Sequence, residues 1–200
     1  QEHLARLQMA DNGKPLSECR GMVDYAVGAF RYYASVCETL ETEVTPARGD
    51  YVSMTVLEPL GVVAAITPWN SPIMNDATKV APALAAGNAV VLKPSEQSPL
   101  LAPELARIAR QAGLPDGLLQ VVQGYGHDIV AALVAHPLVR MVSFTGGTAT
   151  GRTIGEVAGQ RIIPVALELG GKSPHIIYAD ANLEHAVAAA AAGIFGSAGQ

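Results

Sequence analysis

Cysteine is nearly missing from this sequence: only Cys19 and Cys37 occur among 200 residues. Their spacing fits no metal-ligand pattern, and the five histidines form no HExxH or similar cluster, so no metal site is expected. A chain so poor in thiols fits a reducing, cytoplasmic setting. Basic charge is scarce too. Thirteen lysines and arginines stand against eighteen acidic residues, for a net charge of -5, and they are scattered rather than gathered into a stripe. Nucleic acid and anionic membrane surfaces are therefore not expected partners. Long apolar runs are absent as well. The most uniform one, residues 186–192, is short, alanine-rich and preceded by Glu184 and His185, so it is neither a membrane span nor a signal peptide. The chain reads as soluble. It starts at Gln1 rather than Met and stops at Gln200 without a capping signal, and both ends are expected to be cut.

What is present is apolar and periodic. Half of the residues are apolar, enough for one well-packed domain or one domain plus part of another. Residues 23–40 carry Val23, Val27, Phe30, Tyr33, Ala34 and Cys37 at helical spacing, which predicts a packing helix with Cys37 as a small core residue rather than a nucleophile. Residues 51–58 alternate like an exposed or edge strand, available to pair with another subunit. From Gly61 onward, strands at 62–66, 89–92, 119–122, 141–144, 162–167 and 175–178 alternate with helices near 71–86, 101–112, 148–157 and 182–192. Such alternation predicts an α/β fold with an open, mostly parallel sheet and helices on both faces. Ser71 with Pro72, and Ser98 with Pro99, read as helix starts, and Gly87 and Gly113 as stops.

Ligands of such sheets sit beyond the carboxyl ends of the strands, where residues 67–70, 93–96, 124–126 and 145–148 lie. The Gly-Tyr-Gly at 124–126 completes no GxGxxG, so on its own it is a turn. Residues 144–151, FTGGTATG, open a helix whose first amides are free to face a phosphate, although an ordinary glycine-rich turn explains them equally well. Lys93 suits a phosphate or ribose and Glu96 suits ribose hydroxyls, with a solvated charge pair as the alternative. Glu168 ends an apolar run, residues 162–167, that suits a strand buried on both faces, and Gly170 and Gly171 follow it. Desolvated carboxylates take up protons near pH 7, as a general base acting on water requires, and the alternative is a carboxylate satisfied by backbone amides or a lysine.

Taken in order, Pro68-Trp69-Asn70, Lys93-Pro94-Ser95-Glu96, Phe144-Thr145-Gly146, Glu168-Leu169-Gly170-Gly171-Lys172 and Gly199-Gln200 form a series that resembles the NAD(P)-dependent aldehyde dehydrogenases. The resemblance implies an enzyme in which a cysteine thiolate attacks an aldehyde, hydride passes to the nicotinamide, and water releases a carboxylic acid. Asn70 matches the residue that stabilises the oxyanion, and Glu168 the base for hydrolysis. The matching cysteine falls just past Gln200. By the same resemblance the sheet is Rossmann-like, and Ile66, Thr67, Pro68, Trp69, Lys93, Pro94, Ser95, Glu96, Gly126, Phe144, Thr145, Gly146, Gly147, Thr148, Gly151, Leu169 and Gly170 hold NAD, with NADP as the second choice.

Two positions depart from the family pattern. Gly147 stands where serine is common, which removes a hydroxyl donor to the pyrophosphate. Ser71 replaces an aromatic residue common in the family's substrate tunnel, and with Asn75 and Thr78 it can share a polar helix face suited to a polar aldehyde, with a solvent-facing placement as the alternative. The resemblance further implies a cofactor-binding domain over residues 1–40 and 60–168, an oligomerisation strand over 41–59 and the start of a catalytic domain over 169–200, in a homodimer or homotetramer. A non-catalytic nucleotide-binding or structural relative is the competing reading, decided by the residue that follows Gln200 in place of the cysteine. Transfer of the acyl group to coenzyme A is disfavoured by Glu168, since a thiol acceptor needs no base for water.

Overall fold

A computed structural model describes residues 1–46 and 49–200. The chain opens with α1 (Glu2–Asn12) and α2 (Leu16–Cys37). Gly13 ends α1 by taking the left-handed conformation at φ 76°, its N–H donating to the Met9 carbonyl. On α2 the buried residues Cys19, Val23 and Ala26 share one stripe that enters the core. The helix begins earlier than the spacing indicates, and Cys37 is exposed rather than a core residue. It lies where α2 outruns its neighbour: its thiol reaches only the Ala85 carbonyl at the end of the next helix, at 3.6 Å, and the Tyr33 carbonyl at 3.1 Å.

Residues 51–58 do not form the expected strand. Val44 and Met54 make an isolated antiparallel bridge, and Tyr51, Val52, Met54, Val56 and Leu57 are all exposed. Alternation alone makes no ladder, because a strand needs a neighbour for its backbone groups. Residues 47 and 48, between Val44 and this segment, lie outside the described residues.

The alternating part follows as β1 (Val62–Ile66), α3 (Pro72–Ala85), β2 (Ala89–Lys93), α4 (Leu101–Gln111), β3 (Leu119–Val121), α5 (Gly126–Ala135), β4 (Val139–Thr145), α6 (Thr148–Arg161), β5 (Val165–Glu168) and α7 (Leu183–Gly199). The sheet runs β3-β2-β1-β4-β5 with every pairing parallel. It has two cores. Ala65, Val90 and Leu92 face α1 to α4, whereas Ala64, Ile66, Val142 and Phe144 face α5 and α6, so helices cover both sides. From β1 the chain moves outward to β3 and then returns to place β4 on the other flank of β1. This reversal leaves a crevice at the carboxyl ends of β1 and β4.

Gly87 and Gly113, at φ 78° and 96°, stop α3 and α4 as expected, and Pro72 occupies the first turn of α3 behind Ser71. Ser98 and Pro99 do not start α4. The helix begins at Leu101, and its entry is held by Asp11 of α1, whose Oδ2 accepts from the Leu100 amide at 3.1 Å. A capping group supplied by another helix replaces the local one.

The last expected strands also change. Residue Ile162 is not in a strand: it ends α6 in the left-handed region at φ 55° and is 92% exposed. β5 starts only at Val165 and is not buried on both faces, since it pairs with β4 alone at the edge of the sheet. Residues 175–178 form no strand, and Ile176, Ile177 and Tyr178 are exposed, because no strand among the described residues runs beside them. α7 buries no residue, and its helical geometry breaks at Gly196, Ser197 and Ala198. Among the described residues no helix is long and apolar enough to cross a membrane.

Candidate functional site

Thr67 is the first residue beyond β1, and it ties three elements together. Its amide donates to the Lys93 carbonyl at the end of β2, at 3.1 Å, and its hydroxyl donates to Asp76 Oδ1 on α3, at 2.7 Å. Pro68, Trp69 and Asn70 follow, and the Asn12 side-chain amide of α1 donates to the carbonyls of Trp69 and Asn70 at 3.3 and 3.4 Å. The Asn70 Oδ1 is buried with no hydrogen-bond partner among the described residues, so its side chain is not used up by the fold.

At the end of β2, Lys93 is 2% exposed and donates through Nζ to Glu96 Oε2 at 2.8 Å. That hydrogen bond, and the backbone amide of Glu96 itself, hold the Glu96 carboxyl below the usual carboxylate range. The Lys93 charge is therefore delivered to a partly exposed carboxylate from inside the protein. Beyond β4, Gly146 donates its amide to the Glu168 carbonyl at 3.0 Å, which closes the ends of β4 and β5 together. A Cβ on Gly146 would stand 2.6 Å from the Phe144 ring, so the turn requires glycine. One on Gly151 would strike the Leu169 side chain, and one on Gly170 would lie 3.5 Å from Thr148 Oγ1. Gly147 differs, because a Cβ there meets open space. Packing does not demand glycine at that position.

These loops enclose a cavity of about 350 Å³ lined by Ile66, Thr67, Pro68, Trp69, Lys93, Ser95, Glu96, Gln97, Gly126, Val130, Phe144, Thr145, Gly146, Gly147 and Thr150. Most of the cofactor residues anticipated from the sequence meet here. The first amides of α6, which have no partner within the helix, begin at this wall. Pro94 does not line the cavity, and neither do Thr148, Gly151, Leu169 and Gly170, the last four of which pack around the first turn of α6.

A second, more apolar cavity of about 640 Å³ continues from the first through Gly126, Val130 and Thr150. It lies between α5 and α6 and is lined by His127, Ala131, Val134, Ala135, Ala149, Thr153, Ile154 and Val157 as well. Sequence reasoning did not pick out these residues. The signal was the composition of α5, GHDIVAALVA, which carries more apolar residues than one buried stripe needs.

Glu168 is where the largest difference arises. The carboxylate expected to be desolvated is exposed, because β5 is an edge strand and residues 169–180 leave its end uncovered. It stands opposite Thr145 in the strand register and does not line the 350 Å³ cavity. Its charge reaches Lys79 of α3, a mostly buried lysine whose Nζ donates to Ser143 Oγ at 3.1 Å. Burial pushes the Lys79 ammonium down, and Glu168 followed by Asp76 pulls it back up.

Ser71 is buried, and the polar groups of its two companions are used locally. Asn75 donates its side-chain amide to the Ser71 carbonyl and Thr78 its hydroxyl to the Asn75 carbonyl, both at 3.0 Å. Thr78 also borders a cavity of about 400 Å³ whose other walls are Tyr25, Gly28, Ala29, Tyr32 and Tyr33 of α2.

Comparison with known proteins agrees in fold and sequence. The pattern of the Aldehyde dehydrogenase family matches residues 1–200. The 3,6-anhydro-alpha-L-galactose dehydrogenase of Streptomyces coelicolor is 52% identical over 195 residues, which cover 95% of this chain and 39% of that protein. The NADP/NAD-dependent aldehyde dehydrogenase PuuC of Escherichia coli is 46% identical over 202 residues, covering 100% of this chain and 41% of that one. An NAD+ complex of an aldehyde dehydrogenase from Bacillus cereus superposes with a TM-score of 0.95 at 42% identity, over 100% of this chain and 41% of that one. The chain thus spans about two-fifths of the length of these relatives.

Proposed function

The chain belongs to the aldehyde dehydrogenase family, and from that premise we propose that it forms the cofactor-binding part of a longer enzyme that oxidises an aldehyde to a carboxylic acid with NAD. The observation that carries this reading is the cavity at the carboxyl ends of β1, β2 and β4, joined to the apolar slot between α5 and α6. Their chemistry suits a dinucleotide from end to end. The apolar slot between α5 and α6 accepts the adenine ring, Lys93 and Glu96 take the adjoining ribose hydroxyls, and the amides at the start of α6 face the pyrophosphate. At Gly146 the backbone lies so close to the Phe144 ring that no side chain fits between them. With no hydroxyl at Gly147, backbone amides alone serve the phosphates. The bound dinucleotide supplies a hydride acceptor, and NADP is the second choice of cofactor.

The reacting groups of this chain are Asn70 and Glu168. Asn70 donates its side-chain amide to the aldehyde oxygen as that oxygen becomes negative, a role in which one donor contributes roughly 3 kcal/mol. Glu168 takes a proton from the water that hydrolyses the acyl enzyme, and its exposure here is relieved when the remainder of the enzyme covers β5. The nucleophilic thiolate comes from the segment following Gln200. Cys19 does not suit the role, being fully buried with its thiol pushed up by that burial, and Cys37 lies at the far end of α2. Residues 1–40 and 60–168 make the cofactor-binding domain, residues 41–59 an oligomerisation strand completed by a second subunit, and residues 169–200 the start of the catalytic domain. Their uncovered apolar residues, such as Val56, Leu57, Ile176 and Phe195, support that division and a homodimer or homotetramer. A polar aldehyde approaches past Ser71, Asn75 and Thr78.

Calorimetric titration of the complete protein with NAD, beside steady-state NADH formation from a panel of aldehydes, tests the reading. Saturable NAD binding with aldehyde-dependent NADH formation is expected. Absence of NAD binding by a folded protein would overturn it.

A further inference from the structure

Asp76 is a charged residue in a place where charge is costly. It is fully buried on α3, its Oδ1 accepts the Thr67 hydroxyl at 2.7 Å, and its Oδ2 is buried with no partner among the described residues. No cation lies within ion-pair distance among the described residues. The nearest charge, Lys79 on the same helix, gives its Nζ to Ser143 of β4. Across the sheet the charge of Glu168 reaches Lys79, and Lys93 at the end of β2 is engaged by Glu96. A lone carboxylate so enclosed favours its protonated form, and burial pushes the Asp76 carboxyl up to about 7 against the opposing pull of Thr67 and Lys79.

The partner of Asp76 gives that burial a purpose. Thr67 begins the loop that carries Asn70, and its amide is already fixed to Lys93. The Asp76 to Thr67 hydrogen bond therefore joins α3 to the point where the oxyanion loop meets the ribose residue. We propose that Asp76 is a positioning residue for the Thr67 to Asn70 loop, its carboxyl, buried without a cation beside it, holding the loop through the Thr67 hydroxyl. Ionisation strengthens the Thr67 bond, because a carboxylate is the better acceptor, but leaves Oδ2 as an unpaired charge in the wall of the site, which costs stability. This inference rests on the proposed function for its catalytic consequence, but its structural part stands without it.

The sign of the effect follows from the carboxyl's two environments. Its ordinary value is 3.8 and its value in the fold is about 7, so the folded state keeps a proton that the unfolded chain gives up. The stability lent by that proton is complete below the lower value and is lost as pH rises through the upper one.

The experiment compares wild type, Asp76→Asn, Asp76→Ala and Thr67→Val in the complete protein, by thermal unfolding from about pH 5 to about pH 8 and by pH profiles of kcat and KM. Asp76→Asn keeps the acceptor for Thr67 without a charge. It is expected to gain in Tm relative to wild type as pH rises, and to retain turnover across that range. Asp76→Ala and Thr67→Val are expected to lower kcat roughly 10-fold with the KM for NAD little changed, and to be alike, since each removes the same hydrogen bond. A Tm difference between wild type and Asp76→Asn that does not vary with pH overturns the proposal, as does an Asp76→Asn enzyme as impaired as Asp76→Ala. If no aldehyde is oxidised, the unfolding series still decides the ionisation of Asp76, and only the functional reading fails.

Discussion

The Thr67 to Asn70 loop and the Glu168 end of β5 are two arms of one proposed active site, and they are built in opposite ways. The first is braced from α1, β2 and α3 by hydrogen bonds to Asn12, Lys93 and Asp76, and Thr67 itself is buried. The second hangs on an edge strand, with Glu168 exposed and the following residues uncovered. The difference teaches that one arm is fixed by its own neighbours in the fold while the other is left without them. A central strand has neighbours on both sides to fix its end, whereas an edge strand has one.

Substitutions can break or sharpen that contrast. Thr67→Val has the largest expected effect on the fold: it leaves Asp76 Oδ1 unpaired in a buried site, costing about 1–3 kcal/mol of stability. Chemical denaturation with an unchanged slope would measure it, and a change below about 0.5 kcal/mol would remove the distinction between the arms.

Gly146→Ala comes next, since its Cβ would press within 2.6 Å of the Phe144 ring beside the phosphate amides. NAD affinity should fall about 10-fold, and calorimetry on a protein of wild-type Tm separates this from unfolding. Gly147→Ala is the control. Its Cβ meets open space, so a loss as large as that of Gly146→Ala would show that the turn is not set by the Phe144 contact.

Glu96→Gln should narrow the preference for NAD over NADP, worth on the order of 1–3 kcal/mol where a 2′-phosphate meets a partly desolvated carboxylate. Because Lys93 holds the Glu96 carboxyl below the usual range, the preference should be flat around neutrality and fade only as pH falls through that lowered value. Equal dissociation constants for the two cofactors in wild type would contradict it.

Glu168→Gln should have the smallest effect on stability, within about 0.5 kcal/mol, since the side chain is exposed. In the complete enzyme it should nevertheless slow steady turnover while leaving one burst of NADH, because the base acts after hydride has left. A burst lost together with turnover, at intact NAD binding, would place Glu168 before that step.

The β/α alternation was legible in the chain because strands such as residues 62–66 and 89–93 are short, mostly apolar and followed by longer stretches of helical spacing. The stops at Gly87 and Gly113 were legible for a local reason as well, since a left-handed residue ends a helix wherever it occurs. Readings that needed a neighbour fared worse. Residues 51–58 and 175–178 alternate or run apolar as strands do, yet among the described residues the first has only the bridge from Met54 to Val44 and the second has no strand beside it. Ser98 looked like a cap, but Asp11 holds the entry to α4 from another helix.

Composition, period and glycine placement thus determined the class of fold, the direction of its strands and the loops at which a ligand would gather, because each is a property of a few consecutive residues. Three matters were left to the tertiary structure: that Asp76 is enclosed beneath Thr67, that α5 and α6 part to form an apolar slot, and that Glu168 sits on an edge. Each depends on which surfaces meet across distances that the chain covers only by folding, and burial, the quantity that decides all three, belongs to no residue alone.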